Sequence, residues 1–192
     1  MVPAARGLLG CRLRAGGVTV RLTEVEAYGG VGADPASHAH RGPTPRNAVM
    51  FGPPGHLYVY FTYGMHWCAN VVCGPPGEAA AVLLRAGEVT AGLEVARQRR
   101  ATARAIRDLA RGPARLTSAM AITARDNGRY LLDEGPVALL PAETPVPDAA
   151  IAHGPRVGVA SGQATPWRLW LVGEPTVTPY RRHVPRRPAA SG

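Results

Sequence analysis

Val18-Thr-Val-Arg-Leu-Thr-Glu-Val-Glu-Ala-Tyr28 is the stretch on which the reading of this chain turns. Val18, Val20 and Leu22 alternate with Thr19, Arg21 and Thr23, the period of a half-buried strand. Continued at that period, Glu24, Glu26 and Tyr28 fall on the apolar side. A carboxylate there is costly unless it is paired or at work. Two readings follow. Either the strand frays at Glu24 and both glutamates are solvated, or they are held at a functional site, where perturbed groups concentrate.

Working outward, Gly16-Gly17 reads as a turn, so residues near 9–14 and 18–27 form a hairpin. Residues 29–56 are rich in Gly, Pro, Asp, Asn and His, a long loop of the kind that is usually functional or disordered. Arg41, Arg46 and His56 flank its turns. Leu57–Met65 reads as a strand, with Tyr58 and Tyr60 on one face and Val59 and Phe61 on the other. Asn70–Val72 and Ala80–Arg85 are further strands around a Gly74–Gly77 turn. Arg85 closes an apolar run; it either snorkels from a strand end or belongs to a site.

From Glu88 to Arg111 the pattern turns helical, with Arg100, Arg104, Arg107 and Arg111 on one face. That stripe faces phosphates or solvent. Gly112-Pro113 opens a short helix carrying Leu116 and Met120. The last third reads as strands at 137–140, 156–160, 167–172 and 177–180, followed from about residue 181 by a basic tail. No repeat or linker interrupts residues 1–192, which read as one mixed domain of the α+β class.

The bulk properties narrow the function. The 192 residues are 46% hydrophobic, enough for a sizeable core. A net charge of +9 favours a polyanionic partner or an acidic surface. All 22 basic residues are Arg, so no lysine amine exists to form a Schiff base. Three Cys without a Cys-x-x-Cys spacing suit reduced thiols in the cytoplasm. The six His show no zinc spacing, and neither a membrane span, a signal peptide nor a cofactor motif is expected.

A glutamate at a strand end, aromatics with His38, and a strongly basic chain need a joint explanation. Aromatics interleaved with arginines suit a base held by stacking and a backbone held by charge. An enzyme acting on a base inside a duplex flips it into such a pocket. Glu24-Val-Glu-Ala-Tyr28, Ser37-His38, Arg41-Gly42, Thr44-Pro45-Arg46-Asn47, Tyr58-Val-Tyr60, Tyr63-Gly64-Met65, Asn70 and Leu83-Leu84-Arg85, in that order, resemble the alkyladenine (methylpurine) DNA glycosylases. Gly112–Leu116 and Arg156–Val159 extend the resemblance, which runs from about residue 6 to about 182.

The resemblance implies a curved, largely antiparallel sheet with flanking helices and a protruding hairpin. It implies that Glu26 is the general base and that Arg85 positions its water. Tyr28, His38 and Tyr60 would wall the flipped purine, and Asn70 would clash with the exocyclic amine of guanine. Tyr63 would wedge into the minor groove, with Met65, Arg46 and Arg115 also on the DNA. The partner would be duplex DNA with a damaged purine, the enzyme a monomer, and an N-terminal extension absent. The loop from Tyr28 to His38 is slightly longer than the family pattern. Two other readings share part of the pattern: a non-enzymatic lesion binder, and a hydrolase of free nucleosides whose activity ignores salt.

Overall fold

The computed structural model describes residues 1–62 and 64–183. A short helix α1 (Val2–Leu8) leads into β1 (Arg12–Ala15) and β2 (Val18–Tyr28). Gly16 and Gly17 have φ of 56° and 78° and join these strands as a two-residue hairpin, which requires positive φ at both positions. The other strands are β3 (Leu57–Thr62), β4 (His66–Val72), β5 (Ala81–Ala91), β6 (Val137–Leu140), β7 (Ile151–Gly154) and β8 (Arg168–Leu171). They form one curled antiparallel sheet in the order β3-β4-β5-β2-β1-β6. On the β1 side of β2, β1 pairs with Val18–Arg21 and β8 with Glu24–Glu26. Helices α2 (Leu93–Arg99) and α3 (Pro113–Met120) complete an α+β fold, and α3 packs on β4 and β5. No helix among the described residues is long and apolar enough to cross a membrane.

Strand alternation divides the sheet into two faces. Leu57, Val59, Ala69, Val71, Val82, Leu84, Val25 and Ala27 join Leu22, Leu116 and Met120 in the main core. Burying each large side chain contributes about 1.5–3 kcal/mol. The alternate residues of β3, β4 and β5 face the other way, where the 29–56 loop crosses the sheet and packs Ala39 and Met50 on Tyr58, Val72 and Ala81.

The structure corrects the expected placement of Glu24, Glu26 and Tyr28. Leu22 pairs with Gly87 and Glu24 with Ala86, so β2 carries one extra residue, Thr23. One extra residue exchanges the faces of everything beyond it. The core set therefore changes from Val18, Val20 and Leu22 to Val25 and Ala27, and the glutamates turn to the opposite face. A second irregularity makes Arg85 the extra residue of β5, between Ala86 and Leu84. A Cβ on Gly87 would lie 2.3 Å from the Arg21 carbonyl oxygen, so the close approach opposite the bulge admits only glycine. The strand does not fray: both glutamates are 0% exposed. Nor does Arg85 end a strand, since β5 runs on to Ala91.

Three further expectations change. Glu88–Ala91 belongs to β5, where Val89 pairs with Val20, and α2 ends at Arg99. Beyond Ala96 no buried side chain recurs until Leu109, so nothing holds a longer helix against the core. The arginines at 100, 104, 107 and 111 therefore share no helical face. The strand expected at 156–160 lies earlier, as β7, because Arg156 and the Val157 N–H are taken by Asp34 and Glu26. Residues 177–180 form no strand; the Val177 carbonyl accepts from Arg111 and the Thr178 N–H donates to Glu24. Most of the predicted basic tail, from Val184 onward, lies outside the described residues.

Candidate active site

The face opposite the core opens into a cavity of about 500 Å³. Its floor is the alternating set that the bulge brings into line: Glu26 and Tyr28 from β2, Tyr58 and Tyr60 from β3, Cys68 and Asn70 from β4, Leu83 and Arg85 from β5. The 29–56 loop supplies His38, and the segment 157–161 closes the remaining side. Glu26 is the only carboxylate lining this cavity among the described residues.

Glu26 is fully buried and gripped along its edges. Its Oε1 accepts the Val157 N–H at 2.7 Å and lies 3.4 Å from Arg85 Nη1, while the Tyr28 hydroxyl donates to Oε2 at 2.9 Å. Burial, followed by the negative charge of Glu26, raises the Tyr28 pKa well above that of a free phenol, so the hydroxyl keeps its proton to donate. Arg85 is fixed from behind. Its Nε donates to Glu24 Oε1 at 2.8 Å, and the same oxygen accepts from Arg168 Nε and the Thr178 hydroxyl, each at 2.7 Å. The Thr178 N–H donates to Glu24 Oε2 at 2.7 Å. Glu24 thus has every edge occupied, whereas Glu26 faces open volume.

Aromatic walls stand over this floor. The His38 ring lies 4.4 Å from Tyr60, edge to face, and its Nδ1 shares a hydrogen bond of 3.1 Å with the Tyr58 hydroxyl. The outer edge of His38 is exposed, but the inner face rests on these tyrosines; this burial, with help from Arg46, lowers its pKa and keeps it neutral. Burial also pushes the Tyr58 phenol up to about 12 and raises that of Tyr60. Asn70 is pinned to the floor by a 3.0 Å bond from its Nδ2 to the Tyr58 carbonyl.

The loop that carries His38 is anchored by a buried ion pair. Arg156 donates to both Asp34 oxygens, at 2.6 and 2.8 Å, and both side chains are 0% exposed. Its guanidinium lies 4.6 Å from the Tyr28 ring centroid and 5.2 Å from that of Trp167, and also donates to the Ala27 carbonyl. Asp34 accepts the N–H groups of Gly29 and Ala36 besides. Burial alone would raise the Asp34 pKa, but these four bonds outweigh it and hold the carboxyl below 3.8.

Of the residues expected from the sequence, Glu26, Arg85, Tyr28, His38, Tyr60 and Asn70 come together around the one cavity. Arg46 stands at its rim, donating to the Phe61 carbonyl at 2.8 Å with its guanidinium 5.7 Å from the Tyr60 ring. Met65, 66% exposed, lies on the β3–β4 turn, and Arg115 is exposed on α3, just beyond the cavity-lining Pro113 and Ala114. Tyr63 lies outside the described residues. Sequence reading missed the supports: Asp34, Arg156 and Arg168, and the separate role of Glu24. The lone acid in a Gly/Ala-rich loop was the only signal for Asp34.

Residues 1–175 match the methylpurine-DNA glycosylase family. A protein of Nocardia farcinica, named provisionally as a 3-methyladenine DNA glycosylase, is 57% identical over 98% of this chain and 90% of its own length. Proteins so named from Streptomyces avermitilis and Leifsonia xyli are 55% and 56% identical, over 90% and 96% of this chain and 81% and 88% of theirs. A match of that extent, over a chain whose buried glutamate and aromatic walls share one cavity, leads to one conclusion: the chain belongs to the methylpurine-DNA glycosylase family, hydrolases of N-glycosyl bonds in DNA that serve repair.

Proposed function

We propose that the chain is a monofunctional glycosylase that takes an alkylated or deaminated purine out of duplex DNA into this cavity and hydrolyses its N-glycosidic bond. The observation that carries the reading is Glu26, buried yet facing open volume, with its donors on one side and aromatic walls on the others. A single carboxylate so placed suits a general base, an effect of about 10²–10⁴-fold. Glu26 takes a proton from water as the water oxygen bonds to C1′. The C1′–N bond breaks and its electron pair leaves with the purine, so the sugar is left with a hydroxyl at C1′, an abasic site.

Each neighbour has a part in that step. Arg85, locked by Glu24, fixes the direction of the Glu26 carboxylate and of the water between them. The ionised carboxylate also stabilises positive charge as it develops on the sugar. A purine methylated at N3 or N7 is cationic and leaves as a neutral base; the faces of Tyr28, Tyr60 and neutral His38 attract it by about 0.5–2 kcal/mol. The rigid Asn70 amide leaves no room for the exocyclic amine of guanine. Met65, on the hairpin turn, and Tyr63 fill the gap left in the stack, while Arg46 and Arg115 hold phosphates. Without lysine, no side-chain amine is available for an amine–sugar Schiff base, only the α-amino group, and the strand stays intact.

Single-turnover base release tests the reading, with duplexes carrying 3-methyladenine, 7-methylguanine, ethenoadenine or hypoxanthine and with wild type beside Glu26→Gln. Release by wild type, and binding without release by the variant, is the expected result. Binding without release by both would make the protein a lesion binder. A covalent adduct trapped by borohydride would end the monofunctional assignment.

A further inference from the structure

The arginine run that follows α2 is not explained by the cavity. Where a longer helix would have spread these residues along one face, the turns after Arg99 bring Arg100 and Arg104 to one hollow. Arg100, Arg104 and Arg115 line a separate hollow of about 390 Å³ together with Thr102, Ala103 and Asp108. Its one acid, Asp108, lies 3.7 Å from Arg111. Among the described residues, the guanidinium groups of Arg104 and Arg115 have no hydrogen-bonded partner, and Arg100 gives a single bond of 3.3 Å to the Leu109 carbonyl. Burial and the nearby charge of Arg115 both disfavour the charged form of Arg100. Three like charges gathered around a concave space with one acid, itself beside Arg111, are unfavourable in the free protein and favourable once an anion enters.

The hollow is also connected. Arg115 lines a neighbouring basic hollow of about 370 Å³ with Arg85, Arg111 and Arg181, and no acid among the described residues lines it. That second hollow shares Arg85 and Val157 with the base cavity. A track of arginines therefore leads from the cavity floor, past the start of α3, to the triad. One small anion would fill one hollow; a chain of phosphates fills both.

We propose that Arg100, Arg104 and Arg115 form a remote phosphate clamp, which holds the backbone of the lesion-bearing DNA strand along an arginine track continuous with the base cavity. The identity of the polyanion rests on the glycosylase reading above; the clamp itself rests on the hollows. Arg100 and Arg104, which no base-pocket argument requires, become binding residues, and α2 with its following turns becomes part of the DNA surface.

The test is duplex affinity against salt for wild type, Arg104→Gln and the double variant Arg100→Gln/Arg104→Gln. Each lost phosphate contact lowers the slope of log K against log[salt] by about 0.9, so the double variant should be shallower by about 1.8 and bind about tenfold more weakly at physiological salt. Arg6→Gln/Arg14→Gln, at positions that line neither the base cavity nor either hollow, removes the same charge and should leave the slope unchanged. Methylphosphonate replacement of single phosphates should weaken wild type at one or two positions of the lesion strand and leave the double variant insensitive there. An unchanged slope overturns the clamp, as does an equal loss in the Arg6→Gln/Arg14→Gln control, or equal methylphosphonate sensitivity in wild type and variant. Arg104→Gln, which removes no internal bond, guards against misfolding. These readouts are binding alone. A wild type that shows the clamp but releases no base would sink the proposed reaction and leave the clamp standing.

Discussion

Glu24 and Glu26 lie two residues apart on one face of one strand, and neither exposes any surface. Around Glu24 the structure is closed: two guanidinium groups and both donors of Thr178 converge on it. Around Glu26 it is half open, with Val157, Tyr28 and Arg85 along the carboxylate and a cavity in front. Burial is the same in both; what differs is whether the carboxylate's capacity to accept is used up. A saturated carboxylate can only hold neighbours in place, whereas one with an open side can take a proton. Arg85 joins the two regions, receiving its position from the first and passing orientation to the second.

Four measurements break or sharpen this contrast. The largest effect belongs to the open carboxylate. Glu26→Gln keeps the shape and the Val157 bond but removes the proposed base, so single-turnover excision should fall by about 10²–10⁴-fold with the fold intact. Equal rates would show that the open side is not where the proton goes. Next comes the closed carboxylate. Glu24→Ala leaves Arg85 and Arg168 buried without their common acceptor, so urea unfolding should show a loss of about 3–5 kcal/mol. A variant as stable as wild type would mean that the closed network is dispensable.

The third concerns the support of the His38 loop. Asp34→Asn should cost about 2 kcal/mol at neutral pH. Because the folded Asp34 carboxyl lies below its ordinary 3.8, its contribution is fully present above that value and is lost as the pH falls through the folded value. Stability against pH should therefore decline less steeply in acid for the variant, and parallel curves would remove Asp34 from the account. The smallest effect is electronic. Tyr60→Leu keeps apolar contact but loses the ring face, and should reduce binding of cationic 3-methyladenine lesions by about 0.5–2 kcal/mol while sparing neutral hypoxanthine. An equal loss for both lesions would leave only shape.

The contrast between the two glutamates also explains what sequence reading could and could not see. The hairpin at Gly16-Gly17, the alternating Tyr58–Phe61 strand and the α+β class follow from local periodicity and turn chemistry, which need no distant partner. The residues around the cavity were named from an ordered set of motifs, while Asp34, Arg156 and Arg168 were given no supporting role. Their partners lie more than a hundred residues away, as Arg156 with Asp34 and Arg168 with Glu24 show, and no local pattern marks such a pair. The bulge at Thr23 was invisible for a related reason. A period of two carries no mark of an inserted residue until the opposing strand is in place. Period counting put the glutamates on the apolar side, and one unpaired residue reversed that. The arginine run from 100 to 111 misled in the opposite direction: its spacing suits a helix, but only Leu93, Val95 and Ala96 give that helix anything to pack.

The contacts between the first long strand and the last described segment bear on synthesis. Thr176 meets Thr23 at 2.7 Å, and Thr178 holds Glu24, so the brace behind Arg85 is built from segments 153 and 154 residues apart. As the polypeptide leaves the ribosome, the strand bearing Glu26 and the strand bearing Arg85 are made early, but their brace arrives more than ninety residues after Arg85. A nascent chain can pair its strands and collapse its core without yet having an oriented guanidinium. The buried network around Glu24 is complete only once Thr178 has been made, and a chain interrupted before Thr176 would carry every described residue that lines the cavity and still lack the Thr178 bonds to Glu24 and Arg85.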